Sequence, residues 1–363
     1  MTQLLRPSGH HRWSKCTASA KFEQVFPSTT NPAAELGTKL HADCAFVLTE
    51  LLASRAVDLE QYDPIVIKYV NSLFEQYRIH TADQTWIEQP VDLGAWLGAE
   101  AKGTPDFAAL FGTTLQVHDF KSGRKTEHFA ETSGQIRIYA LGLMQVVEAY
   151  GLEVDKIVLV IHQPTMKSEP DEFTISAKSL KAFGEKLLDD AAKAREGGTF
   201  SPGEHCEYCK YAHKCEALHE YVQAQITGDA ALGEKYAAIS TIEAYVQSIT
   251  DAVNQSWDQG IPVPGTRRVA GREGHRQWTL DDYEIIELAS DVLPKDAVYV
   301  AKVVTPTVME QVAKKAKQLP WFKESLEPHI TRNPAKPKIV LDTPANAKYA
   351  DYTGDTTGFN PIE

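Results

Sequence analysis

The sequence predicts an α/β fold in which a mixed central sheet is flanked by helices. Three observations predict it. Between residues 31 and 195, segments with helical spacing of apolar residues alternate with segments of period two, in the order α, then β-β-β, then α, β and α. The run Lys156-Ile-Val-Leu-Val-Ile-His162 is short, apolar and rich in β-branched residues, which suits a strand buried on both faces. The chain has 363 residues, of which 43% are hydrophobic. That is enough for two domains, or for one domain with large additions.

The elements follow in order. Asn31-Pro32 opens a helix over residues 31–53, where Leu36, Leu40, Cys44, Val47, Leu48 and Leu51 recur at helical spacing. A second helix covers 63–79. Trp86-Ile-Glu-Gln-Pro-Val-Asp-Leu93 suggests a strand, and Leu97 to Lys102, Thr104 to Leu110 and Thr114 to Phe120 suggest two or three more between Gly-rich turns, as an antiparallel meander. A helix over 132–150 places Ile136, Tyr139, Ala140, Leu143 and Val146 on one face, and another covers 177–195. A cysteine-rich loop occupies 201–215, and helices follow at 216–226 and 232–258. The last hundred residues suggest a hairpin from Thr266 to Thr279, a helix over 306–318 and a Pro/Asn/Lys/Asp-rich tail from 333. The expected division is a domain over 1–220 and an extension over 221–363. The chain shows no internal repeat.

Composition narrows the function. The formal net charge of −12 counts against a general nucleic-acid coat protein, which would be basic. It does not count against a nuclease, because carboxylates that hold metal add negative charge and a basic groove can sit on an acidic body. No run of eighteen apolar residues occurs and the N-terminus has no signal-peptide pattern, so a cytoplasmic protein without membrane contact is expected.

The chemistry concentrates in Lys102-Gly-Thr-Pro-Asp106 and Leu115-Gln-Val-His-Asp119-Phe-Lys121. Adjacent strands would bring Asp106 and Asp119 together, and Asp119 and Lys121, two residues apart, share a strand face while Phe120 takes the other. Carboxylates that hold a hard divalent cation set positive charge against a scissile phosphate and acidify a bound water, and a neighbouring lysine can orient that water. A lone Asp-X-Lys is common as a salt bridge at a strand end. Here His41 precedes it on the first helix, and Gln135 and Tyr139, four apart, share a helix face after it.

This order resembles the RecB-type branch of the PD-(D/E)XK nucleases. The matching motifs are Gly37-Thr38-Lys39-Leu40-His41, Gly103-Thr104-Pro105-Asp106, Asp119-Phe120-Lys121 and Gln135-Ile136-Arg137-Ile138-Tyr139. The resemblance implies a restriction-endonuclease-like core. It implies that His41, Asp106, Asp119 and the Phe120 carbonyl bind Mg²⁺ or Mn²⁺, that Lys121 serves the attacking water, and that Gln135 and Tyr139 position the site or touch DNA. Glu35 and Glu100 are further acids of second rank.

The five cysteines, an odd number, argue against a disulfide framework. Cys206, Cys209 and Cys215 have metal-ligand spacing. Cys16 is the best fourth ligand, while Cys44 reads as a small core residue. A structural Zn²⁺ site using His205 or His213 is the alternative. One early cysteine and three late ones resemble instead the iron–sulfur staple of AddB-type and CRISPR adaptation nucleases, and closer still an uncharacterised phage-encoded set with an Arg-Trp-X-X-Cys start, here Arg12-Trp13-Ser-Lys-Cys16. That resemblance, over residues 9–220, implies a [4Fe–4S] cluster on Cys16, Cys206, Cys209 and Cys215.

Two basic stretches remain. Ser122-Gly-Arg124-Lys125 suits either DNA backbone contact or a solvated turn. Arg267, Arg268, Arg272 and Arg276 with Trp278 suit either single-strand contact or an exposed hairpin. Lys314, Lys315 and Lys317 fit the polar face of a helix. The expectation is a metal-dependent DNA nuclease, favoured as an exonuclease on single-stranded DNA or free ends, working in a bacterial host with phage recombination or replication proteins. A non-catalytic DNA-binding scaffold of the same fold is the alternative.

Overall fold

In the computed structural model the chain forms two compact units, Met1–Ile249 and Thr250–Glu363. The structure describes residues 3–26, 32–99, 101–124, 126–269, 276–290, 292–294, 298, 303–332 and 338–342. Asn31, Glu100, Lys125, Arg272 and the tail beyond 342 lie outside them.

The first unit begins with a short helix α1 (His10–Trp13), a turn α2 (Ser19–Glu23) and the long helix α3 (Pro32–Leu52). Helix α4 (Pro64–Glu75) has proline in its first turn, where a missing N–H costs nothing, and Asp63 as its cap, accepting from Ile65 N at 2.9 Å. Strand β1 (Gln84–Ile87) ends at Glu88, whose φ of +45° breaks the extended run. The strand expected to reach Leu93 is therefore split. Val91–Asp92 (β2) turns away and pairs with Lys102–Gly103 (β3), with the helical turn α5 (Gly94–Leu97) between them. Strands β4 (Phe107–Phe111) and β5 (Thr114–Phe120) form a tight hairpin. Helix α6 (Gly134–Ala149), strand β6 (Lys156–His162), strand β7 (Asp171–Ser176) and helix α7 (Ala177–Glu196) complete the core.

The five-stranded sheet has the order β1-β4-β5-β6-β7. Only β5 and β6 run parallel, because α6 crosses over between them; the other pairs are antiparallel. Both faces are covered. Helices α6 and α7 pack on Ala108, Leu110, Leu115, Val117, Ile157 and Leu159. Helices α3 and α4 pack on Phe107, Ala109 and Phe120 through Leu40, Cys44, Leu48, Tyr69 and Leu73. This is a mixed α/β sandwich of three layers, the class expected from the alternation of periods. Strand β7 was not expected. It is an edge strand whose residues alternate between half-buried and exposed, so its apolar content is low.

Helices α8 (Glu216–Thr227), α9 (Leu232–Ala237) and α10 (Ile239–Asp258) follow, with a break at Ala238 inside the segment expected as one helix. The second unit departs from expectation. Strands β8 (Thr266–Val269) and β9 (Arg276–Trp278) do not form a hairpin with each other. After α11 (Asp282–Ser290) and α12 (Pro306–Lys315), strand β10 (Ile330–Arg332) pairs with β9, and β11 (Lys338–Leu341) pairs with β8. Three arginines of this basic stretch pair with acids: Arg268 with Asp258 at 2.7 Å, Arg267 with Asp342 at 3.8 Å, and Arg276 with Glu310.

Candidate metal centre

The hairpin register sets the site. Phe107 lies opposite His118, so one residue further Asp106 stands opposite Asp119 at the end of β4 and β5. Helix α3 delivers His41 from one face of the sheet, and α6 delivers Gln135 and Tyr139 from the other. Six of the polar side chains expected from the sequence, His41, Asp106, Asp119, Lys121, Gln135 and Tyr139, meet here.

His41 Nδ1 and Asp106 Oδ1 are 2.9 Å apart. Asp106 Oδ2 accepts the backbone N–H of Phe120 at 2.6 Å, which tethers the carboxylate to the strand carrying Asp119 and Lys121. Asp119 is buried, and its Oδ2 forms an ion pair with Lys121 Nζ at 2.8 Å. Lys121 Nζ also donates to Gln135 Oε1 at 3.0 Å, and the Gln135 amide donates to the Tyr139 hydroxyl at 3.2 Å. The Tyr139 ring lies over Gly103, where a Cβ would come within 2.8 Å of it. Glycine at 103 thus lets the tyrosine close the site from the α6 side.

Sequence reading missed Glu88. Its backbone N–H donates to the Asp106 carbonyl at 3.0 Å, and its left-handed conformation turns it out of β1. Ligand atoms of His41, Glu88 and Asp106 all lie within 4.8 Å of one another, the one such group of histidine, cysteine and carboxylate ligands among the described residues. The available signal was Pro90. It bars Gln89 from the helical region and cannot donate to a sheet ladder, so an uninterrupted strand through Glu88 to Leu93 was suspect. Glu35 is exposed on α3 and does not join the group.

The electrostatics are those of crowded acids. Burial raises Glu88 to about 7, Asp106 adds to the shift, and His41 opposes it. Burial also raises Asp119, against the pull of Lys121 and with the push of Asp106. For His41, burial acts downward, but the Asp106 hydrogen bond and the charges of Asp106, Asp119 and Glu88 outweigh it, so its pKa is raised. Burial, then Asp119, lifts the Tyr139 phenol and keeps it neutral. Three carboxylates face one lysine, and an added cation would relieve them. The donor set fits one. Two ligands at neighbouring corners of an octahedral ion with ~2.1 Å bonds stand ~3 Å apart, the separation of the His41 nitrogen and the Asp106 oxygen. The Asp119 carboxylate, which faces the same site, supplies a further oxygen ligand. The cleft above is open and lined by Ala34, Gly37, Thr38, His41, Ala42, Glu88 and Asp106.

A second gathering lies around the cysteines. The N-terminal segment is tied to the 199–210 loop by Ala18 N to Thr199 O at 3.2 Å, Thr199 N to Thr17 Oγ1 at 2.8 Å, and Arg12 Nη1 to Glu207 O at 3.1 Å. Glu23 bridges the two, accepting from Arg12 Nε at 3.1 Å and from Lys210 N at 2.9 Å. Cys16 and Cys206 are buried, Cys209 and Cys215 half-buried. The thiols of Cys206, Cys209 and Cys215 are all raised, burial being the main cause, with Cys209 pushed up to about 12. The charge of Cys16 acts on both Cys206 and Cys215. No three of these sulfurs lie within 4.8 Å of one another. Cys44 is a buried core residue of the α3–α4 layer, as expected.

The model of the family described as "Protein of unknown function (DUF2800)" matches residues 3–347. The chain belongs to this family. Among solved structures, one titled "Crystal structure of SSO0001" aligns over 60% of this chain and 88% of that one at 12% identity, with a TM-score of 0.29. No helix among the described residues is long and apolar enough to cross a membrane.

Proposed function

We propose that this chain is a divalent-metal-dependent DNA nuclease of the RecB-like PD-(D/E)XK kind, acting on single-stranded DNA or free ends, with exonuclease action favoured. The observation that carries the reading is the convergence of His41, Glu88 and Asp106 on one side, and Asp119 with Lys121 on the other, at the end of a single strand pair. His41, Asp106 and Asp119, with the Phe120 carbonyl, would hold Mg²⁺ or Mn²⁺, and Glu88 joins them. The bound cation supplies positive charge to the scissile phosphate and acidifies a water. Lys121, steered by Gln135, orients that water and meets developing charge, while Tyr139 packs the site shut on the α6 side.

The four cysteines are assigned a [4Fe–4S] cluster with a structural role, joining the N-terminal segment to the end of the nuclease core. The order of one early and three late cysteines, as in the families the sequence resembles, supports this assignment, with Zn²⁺ as the alternative. Phage recombination or replication is the setting that the resemblance suggests, in a bacterial cytoplasm.

The test is digestion of end-labelled single- and double-stranded DNA with Mn²⁺. Wild type should cut, and Asp119→Ala and Lys121→Ala should lose roughly a hundredfold or more. Equal cutting by these variants, or none by wild-type protein carrying its metals, would sink the reading. In the second case, DNA binding indifferent to Asp119→Ala would favour a scaffold.

A further inference from the structure

Gly134 opens α6, one residue before Gln135. A Cβ at this position would overlap the imidazole of His10, so the ring sits on bare backbone that only glycine provides. The ring has little room to leave. It packs edge-on against Trp13, with centroids 4.8 Å apart, and tilted against Phe183 at 5.8 Å. Trp13 is itself buried, and its indole N–H donates to the Arg6 carbonyl at 2.9 Å. Ser14 Oγ donates to the His10 carbonyl at 2.6 Å. The N-terminal segment is thus folded into a rigid block with His10 as its contact with α6.

The first turn of a helix is its weakest part, since its amides have no intrahelical acceptors. Ser133 caps one of them, accepting from Ile136 N. The same turn carries Gln135, which holds the Lys121 ammonium. We infer that His10 is a positioning residue for Lys121, holding the first turn of α6 through Gly134 so that Gln135 keeps the ammonium aimed at the site. Burial and the neighbouring His11, Lys186 and Arg137 hold His10 near pKa 4, so the ring is a neutral packing piece and adds no competing charge. Metal ligands come from α3, the turn after β1, and the β4–β5 pair. Displacing His10 should therefore disturb the lysine and spare the metal.

The kinetic arm rests on the nuclease reading; the exchange arm does not. Full-length Gly134→Ala, His10→Ala and the double variant are compared with wild type. On helix propensity alone, Gly134→Ala would slow amide exchange in the first turn of α6. Unseating His10 has the opposite sign. The expected results are faster exchange over residues 134–139 in both single variants, unchanged Mn²⁺ affinity, and kcat lower by roughly tenfold with little change in KM. The double variant should be no worse than His10→Ala, because the three atoms nearest to the new methyl all belong to that ring. Slower or unchanged exchange in Gly134→Ala, unchanged exchange in His10→Ala, or additive losses in the double variant would overturn the inference. If wild type cuts no DNA, the nuclease reading falls and the exchange results still decide this one.

Discussion

The carboxylate of Asp106 accepts the backbone N–H of Phe120 at 2.6 Å while its other oxygen faces His41. One side chain thus joins the hairpin to α3 and completes the candidate metal centre. The two roles separate by substitution. Asp106→Asn keeps an acceptor for the Phe120 N–H but loses the charge, so it should abolish Mn²⁺ binding at little cost in stability. Asp106→Ala also strands a buried N–H and should cost a further ~1–3 kcal/mol. Urea unfolding without metal, beside calorimetric Mn²⁺ titration, measures both. Equal stability of the two variants would show that the hydrogen bond carries no weight.

Glu88 is costly to the metal-free protein. It sits at φ +45°, rare for a side-chain-bearing residue, and its carboxyl is raised to about 7 by burial and Asp106. A carboxyl whose folded pKa is raised loses stability as pH rises through that value, so at pH 8 the full penalty applies. Glu88→Gln should therefore stabilise the metal-free protein at pH 8 by about 1 kcal/mol, allowing for partial exposure, and this gain should vanish below pH 5. The same change should weaken Mn²⁺ binding by roughly tenfold or more. A variant that is no more stable at pH 8, or that binds Mn²⁺ as wild type does, counts against this account.

The site was legible where chemistry was local in sequence. Asp119 and Lys121 share a strand face, Gln135 and Tyr139 share a helix face, and residue identity alone exposes both relationships. Helices α3, α6 and α7 and strand β6 were legible because long apolar periodicities have one solution. Glu88 was not, because a left-handed residue looks like any other in a pattern of alternating polarity, and what selects it is Asp106 across the sheet. Nor was the pairing of β8 and β9 with β11 and β10. The Gly-rich link between them suggested a local hairpin, whereas their partners lie far along the chain. Strand β7 was missed because an edge strand needs few apolar residues.

His118 and His162 form a buried pair in the middle of the sheet, with Nδ1 and Nε2 3.0 Å apart. Gln116 Oε1 accepts from His118 Nε2 at 3.3 Å. Neutral His118 then presents a bare Nδ1, and His162 Nε2–H donates to it. Burial depresses both, His162 to about 3 and His118 well below its usual value, where the His162 charge also acts. With folded pKa values below the unfolded ~6.5, the unfolded chain binds protons first. The pair's stability is whole above that pH and is lost as pH falls toward 3. His162 alone should account for a loss on the order of 3 kcal/mol between pH 7 and pH 4. In His162→Leu the acid slope should be shallower by about that amount, whatever the variant's stability at pH 7. Parallel slopes for the two proteins would refute the assignment.

Glu23 and Cys16 hold the same N-terminal segment by different means. Glu23 grips it through Arg12 and the Lys210 amide, whereas Cys16 would grip it only through a group shared with Cys206, Cys209 and Cys215. Cys16→Ser should remove absorbance near ~400 nm if the group is iron–sulfur, and should change no colour if it is zinc. The Glu23 contacts remain, so trypsin cleavage at Lys15 and Lys21 should rise only modestly. Glu23→Ala should leave the colour and likewise raise cleavage modestly. Together the two substitutions should loosen the segment further, with cleavage exceeding the sum of the single effects, since the Thr199 and Glu207 contacts remain but each of the two ties partly covers for loss of the other. Cleavage of the double variant no faster than that of Glu23→Ala would mean that the cysteines contribute no tie.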